Sequence, residues 1–135
     1  MTSSGAAALK TMHDEVRTLI EAYRGAFSQG PSAVAGFYSE PCVVARMGGV
    51  RVNPTRRDTE RLFTEVDADN RTRGFTHAEI IGMDVQPLGA NSALATVQWA
   101  YMGACEELLW KATVSYNLHR GDGAWKIVVA TMHDS

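Results

Sequence analysis

The second half of the chain constrains the fold most. After Gly74 it reads as four long strand-like runs, at about 75–88, 91–105, 108–120 and 124–133. They are joined only by Gly89-Ala90-Asn91, Glu106-Glu107 and Gly121-Asp122-Gly123. Parallel neighbours need crossovers of about a dozen residues, so connections this short dictate an antiparallel meander. Strands of this length must bend to enclose anything, and Gly82 and Gly103 are the expected bulge or kink positions.

Two of the runs are apolar on both sides. One face of the second run carries Ala93, Ala95, Val97, Trp99 and Tyr101, and the other carries Leu94, Thr96, Gln98, Ala100 and Met102. In the last run, Trp125, Ile127 and Val129 alternate with Val128, Ala130 and Met132. A half-solvated strand alternates cleanly, so both faces are expected to be covered. Helices serve for one face, and the simplest cover for the other is a second copy of the chain, giving a homodimer packed sheet to sheet.

The helices come from the first half. Leu9, Met12, Val16, Leu19, Ile20, Tyr23 and Phe27 fall on one stripe of a helix ending near Gly30. Pro31 suits the first turn of a second helix, with Val34, Phe37 and Tyr38 as its apolar face and its end before Pro41. Cys42–Met47 and Val50–Val52 around Gly48-Gly49 read as a small hairpin. Thr55 and Asp58, at capping-box spacing, open a third helix that carries Leu62, Phe63 and Val66 and ends at Gly74. Residues 1–5 are expected to be disordered. The fold class is therefore α+β, in the order α-α-β-β-α-β-β-β-β, with three N-terminal helices closing over a strongly curved, mainly antiparallel sheet to leave an apolar pocket.

The 135 residues suit one domain spanning 1–135. A net charge of −2 offers no long-range attraction for phosphate backbones or anionic membranes, so neither is an expected partner. Cys42 and Cys105 lack CxxC spacing and read as reduced thiols. The histidines show no HxH or HExxH spacing, so no metal is expected, and no cofactor either. No stretch approaches the ~18 apolar residues of a membrane span and no leader pattern opens the chain, which leads to a cytoplasmic expectation.

The element order, with the segments EAYRGAFSQGPSAVAGFYSEPCVVARMGG and GDGAWKIVVATMHDS, resembles the nuclear transport factor 2-like superfamily. That group includes SnoaL-type polyketide cyclases, ketosteroid isomerase and scytalone dehydratase. The resemblance covers nearly the whole chain and implies a cystatin-like cone with a pocket inside, commonly dimeric through the sheet. It does not imply one function, because this scaffold hosts isomerases, dehydratases, cyclases and plain binding modules.

The resemblance also orders the candidate residues. Tyr23, seven positions before the glycine closing the first helix, matches the placement of the isomerase's oxyanion-binding tyrosine; its other reading is a core tyrosine. Arg46 stands where the isomerase holds its carboxylate base, and an arginine cannot abstract a proton at neutral pH. The run 108–120 contains no Asp or Glu for the partner acid, so isomerisation by the family mechanism is not expected. If Arg46 faces inward it is a fixed charge suited to a carboxylate or enolate; otherwise it is a surface residue.

His77 and Glu79, two apart on one strand face, are an acid–base candidate or a pair of solvated strand positions. His133 shares the parity of Trp125 and Ile127 and is placed in the pocket lining, with Tyr38, Trp99, Tyr101 and Trp110 as aromatic wall; for each, core or interface packing is the alternative. The reading is a pocket protein for a small, mainly apolar, anionic ligand, either binding it or catalysing a cofactor-free lyase or isomerase step. In the catalytic version Tyr23, His77 and Glu79 act on a ligand anchored by Arg46. The alternative is a non-catalytic dimerisation or interaction domain whose interior is filled by its own side chains.

Overall fold

Apolar residues at helical spacing set the first layer. The computed structural model describes residues 2–133, with side chains from residue 7. Of residues 1–5, expected to be disordered, Met1 lies outside the described residues, whereas the backbone of residues 2–5 is the first turn of the first helix. Helix α1 (Thr2–Gln29) buries Met12, Val16, Ile20, Tyr23 and Ala26 along one stripe. Gly30, at φ 116°, turns the chain in a conformation that L side chains rarely adopt, and Pro31 opens helix α2 (Pro31–Ala35).

Helix α2 is shorter than its apolar pattern predicts. Phe37 and Tyr38 leave it, because the Phe37 carbonyl accepts a hydrogen bond from Ile127 N at 2.9 Å and the chain is captured by the sheet. Tyr38 therefore begins strand β1 (Tyr38–Arg46), which runs through Pro41. Pro41 is tolerated there because the pairing of β1 is irregular between Tyr38 and Val43. Strand β2 (Gly49–Asn53) returns beside β1, and helix α3 (Arg56–Thr72) starts in a complete capping box. The Asp58 amide donates to Thr55 Oγ1 at 3.3 Å, and the Thr55 amide donates to Asp58 Oδ2 at 3.1 Å.

Strands β3 (His77–Pro87), β4 (Ser92–Met102), β5 (Leu108–Arg120) and β6 (Trp125–Met132) form the expected meander. The six strands lie in the order β2-β1-β6-β5-β4-β3, antiparallel throughout except where β1 runs parallel to β6. The fold is α+β, with helices packed on one face of a mixed sheet. Among the described residues no helix is long and apolar enough to cross a membrane.

Three residues stand outside the ladder of pairs and bend the sheet. Ile81 is skipped between Ile80↔Trp99 and Gly82↔Gln98, beside a glycine singled out for that role. Leu109 is skipped on β5 opposite the end of β4, just before Gly103. Val128 is skipped on β6 between Leu118↔Ile127 and Asn117↔Val129. The last of these explains half of the two-sided pattern. Trp125 and Ile127 are buried before the bulge and Ala130 after it, so both parities of β6 reach the same interior in turn.

On β4 the inward residues Ala93, Ala95, Val97 and Trp99 are inaccessible or nearly so, while on the convex side Ala100 is buried, Leu94, Thr96 and Met102 are half-buried and Gln98 is exposed. Within one chain, then, only the concave side of this strand is fully covered.

The capping box is the clearest local determinant of α3. Thr55→Ala is expected to lower stability by about 1 kcal/mol in urea unfolding, whereas Thr55→Ser keeps most of it.

Candidate functional site

Between α3 and the strands β1, β5 and β6 the helices do not fill the concave side, and a cavity of about 760 Å³ opens there. Its deep end is built from tyrosines. The hydroxyls of Tyr23 on α1 and Tyr38 on β1 lie 2.6 Å apart, and Trp99 Nε1 donates to Tyr116 Oη on β5 at 3.0 Å. Tyr23 is also the centre of an aromatic cluster, meeting Phe27, Phe37, Tyr38, Trp99 and Tyr116 edge to face at 4.9–6.3 Å between ring centroids.

One side wall is a stack. Tyr101 and Trp110 lie nearly parallel, with centroids 4.9 Å apart and 19° between planes, and the Arg73 guanidinium sits 3.9 Å from the centre of the Trp110 ring. Arg46, at the end of β1, turns into the cavity from the opposite side and is half-buried. Asp69, exposed on α3, is the one carboxylate among the cavity-lining residues, and neither Arg46 nor Arg73 has an ion-pair partner among the described residues.

The chain has four tyrosines, and all four are buried and line this cavity. Removing a phenolate from water is costly, so burial pushes Tyr23, Tyr38 and Tyr116 well above the usual phenol range. Burial likewise pushes Tyr101 up to about 12, against the opposing pull of the Arg46 charge. At neutral pH the cavity thus presents neutral hydroxyl donors and fixed guanidinium charge.

Of the residues singled out from sequence, Tyr23, Tyr38, Arg46, Tyr101 and Trp110 come together around the cavity. Trp99 does not line it. It lies behind Tyr23 and Phe27, 1% exposed, and holds Tyr116 through its indole N–H. His133 reaches only the rim. The Val128 bulge reverses the phase of β6, so His133 no longer shares the side of Trp125 and Ile127. Its Nε2 lies 2.7 Å from Ser115 Oγ, and Ser115 in turn lies 3.0 Å from Thr96 on the convex side.

His77 and Glu79 are not brought to Tyr23. Ala78 pairs with Tyr101 and takes the inward position, so its two neighbours point to the other face. There His77 Nε2 lies 3.6 Å from Glu79 Oε1 and 3.3 Å from Glu106 Oε1, and Thr76 Oγ1 is 2.9 Å from Nδ1. The imidazole–carboxylate contact therefore exists, on the edge strand where Glu79 also lies 4.0 Å from Arg24 of α1, and neither His77 nor Glu79 lines the cavity. Glu106 comes from the β4–β5 turn, a convergence that histidine spacing alone does not show.

Sequence reasoning missed the contribution of α3. Asn70 and Arg73 both line the cavity, and Asn70 is buried. Their position just before the glycine that ends the helix gave no sign of this, because Trp110, on which Arg73 stacks, lies far along the chain.

A family model described as NTF2-like protein (DUF6841) matches residues 14–135. The chain belongs to this family. No curated protein matches it. Among solved structures, this NTF2-like protein is similar to an NTF-2 like protein of unknown function from Shewanella oneidensis, with TM-score 0.73 and 14% identity over 90% of this chain and 98% of that one. It is also similar to Aln2 from a Streptomyces species, with TM-score 0.75 and 13% identity over 91% and 90% of the two chains. A protein of unknown function with a cystatin-like fold from Nostoc punctiforme gives TM-score 0.70 and 11% identity over 87% and 86%. At these identities the likeness establishes the fold, and the NTF2-like scaffold leaves the chemistry to the cavity's own side chains.

The tyrosines provide a direct check on the cavity. A phenol whose folded-state pKa lies above its unfolded value near 10 contributes stability that is present below pH 10 and lost as pH rises toward the folded value. Absorbance at 295 nm should therefore show no tyrosinate in the folded protein up to about pH 10. Above that, tyrosinate should appear together with loss of circular dichroism, not as a separate earlier step.

Proposed function

We propose that this NTF2-like protein binds a small, mainly apolar, anionic molecule in the cavity between α3 and the sheet. One observation carries the reading: an open volume of about 760 Å³ with aromatic walls contains neutral hydroxyls and two guanidinium groups, and almost no negative charge. Natural interiors are close-packed, so a space of this size is a feature to be filled by something other than the chain itself. That argues for a ligand pocket over an interaction domain with a filled interior.

Catalysis, if it accompanies binding, rests on Tyr23 and its neighbours as neutral donors to a developing enolate oxygen, with Arg46 holding the anionic end. The lining offers no buried carboxylate or imidazole to abstract a proton, since Asp69 and His133 are both exposed. The cavity as built therefore favours binding, or a step in which the ligand supplies its own proton acceptor.

The fluorescent anion 8-anilinonaphthalene-1-sulfonate tests this. It is expected to bind the wild-type protein saturably at one site. Ala112→Trp, which fills the cavity from β5, should abolish that binding while leaving the circular dichroism spectrum unchanged. No saturable binding to the wild type, or equal binding to the folded variant, would sink the pocket reading.

We also propose that two copies pair through the convex face of the sheet. Val50, Val52 and Leu108 are exposed there, and Leu94 and Met102 are only half-covered. Sedimentation equilibrium at micromolar concentration should give a dimer, and Val52→Lys should shift it toward monomer. A wild-type monomer would remove this proposal.

A further inference from the structure

Two of the cavity's donors, Arg46 and Tyr101, are without an acceptor among the described residues and point to a ligand chemistry. Tyr101 is buried, with 8% of the residue exposed, and its ring stacks against Trp110. Among the described residues its hydroxyl has no hydrogen-bond partner, although Tyr23, Tyr38 and Tyr116 each have one. Tyr101 nevertheless has no fully enclosed unpaired polar atom, so the hydroxyl opens into the cavity that it lines.

Arg46 faces the same space, close enough for its charge to act on Tyr101. It too has no acceptor or carboxylate partner among the described residues. The Tyr101 hydroxyl opens to the cavity and the Arg46 guanidinium is half-buried, so neither is a sealed donor and both are free to donate to a molecule held there. Two such donors, on β1 and β4 and lining one cavity, are complementary to one chemical group that accepts several hydrogen bonds and carries negative charge.

The surroundings narrow the choice. The lining around these donors is aromatic, with Tyr23, Phe27, Phe63, Trp110 and Tyr116 among its residues, which suits a ring-bearing body. A guanidinium fork meets a carboxylate with two parallel hydrogen bonds. Besides Arg46 the lining carries two further cations, Arg73, engaged on the Trp110 ring, and Lys111, against the single carboxylate Asp69.

We propose that Arg46 and Tyr101 form a carboxylate-recognition site, and that the natural ligand is a planar aromatic carboxylic acid. This rests on the pocket reading above and deepens it. Arg46 supplies charge and a two-pronged donor, and Tyr101 supplies a third hydrogen bond from a hydroxyl that stays neutral.

Isothermal titration calorimetry with 2-naphthoate and its uncharged amide, 2-naphthamide, tests it at neutral pH. The two probes share ring and shape and differ in the charge and acceptor capacity of one group. Wild type should bind naphthoate about tenfold or more tighter than naphthamide, as expected for charge-assisted hydrogen bonds. Arg46→Gln should erase most of that ratio with naphthamide affinity unchanged, and Tyr101→Phe should reduce it several-fold while keeping the ring stack. Arg46→Lys should restore part of it, because the charge returns without the fork. Equal affinity of wild type for both probes, or a ratio that survives Arg46→Gln, would overturn the carboxylate site and leave the pocket standing. Binding of neither probe would overturn the pocket reading itself, and the carboxylate site with it.

Discussion

Tyr23 is the contact on which the rest of the arrangement depends. It stands on the buried stripe of α1, is 1% exposed, and touches residues from α1, β1, β4 and β5 together with Phe37 in the connection before β1. A helix laid on a sheet is held by its apolar stripe, but a stripe alone allows sliding and rotation. The edge-to-face cluster around Tyr23 and its 2.6 Å contact with the Tyr38 hydroxyl pin α1 at one register over the strands. With α1 fixed over β3 and β4, the space left under α3 stays open, and that space is the cavity.

The bulges decide which side chains share that space. Each one shifts the phase of a strand by one residue, and in a two-sided strand one residue is the difference between interior and exterior. At Ile81 and Leu109 the shift occurs at exposed or half-buried positions near the sheet edge. At Val128 it falls in the middle of β6 and brings Ala130 inward in place of Thr131. The same event turns His133 toward Ser115, so a histidine that looks like a pocket residue by counting ends on the rim.

The chemistry of the cavity follows from an imbalance between donors and acceptors. Tyrosine hydroxyls and guanidinium groups line it, and their usual protein partners, carboxylates and carbonyls, are mostly absent from the lining. Burial keeps the phenols protonated, which preserves them as donors over the whole working range of pH. Elsewhere the molecule pairs its charges conventionally, Arg71 with Asp67 and Arg120 with Glu15.

By itself the sequence determined the element order, the antiparallel meander and the start of α3 at Thr55 and Asp58, and it marked Tyr23, Arg46, Tyr101 and Trp110 as candidates without deciding which way they face. These are properties of local spacing, turn length and capping, which act over a few residues and so are readable along the chain. Tertiary structure alone decided the early end of α2, where a hydrogen bond from Ile127 draws Phe37 into the sheet. It also decided the outward turn of His77 and Glu79, the burial of Trp99 behind the cavity wall, and the entry of Arg73 into the lining. Each of these depends on a partner far away in sequence or on an unpaired residue that resets strand phase, and neither leaves a local pattern to read.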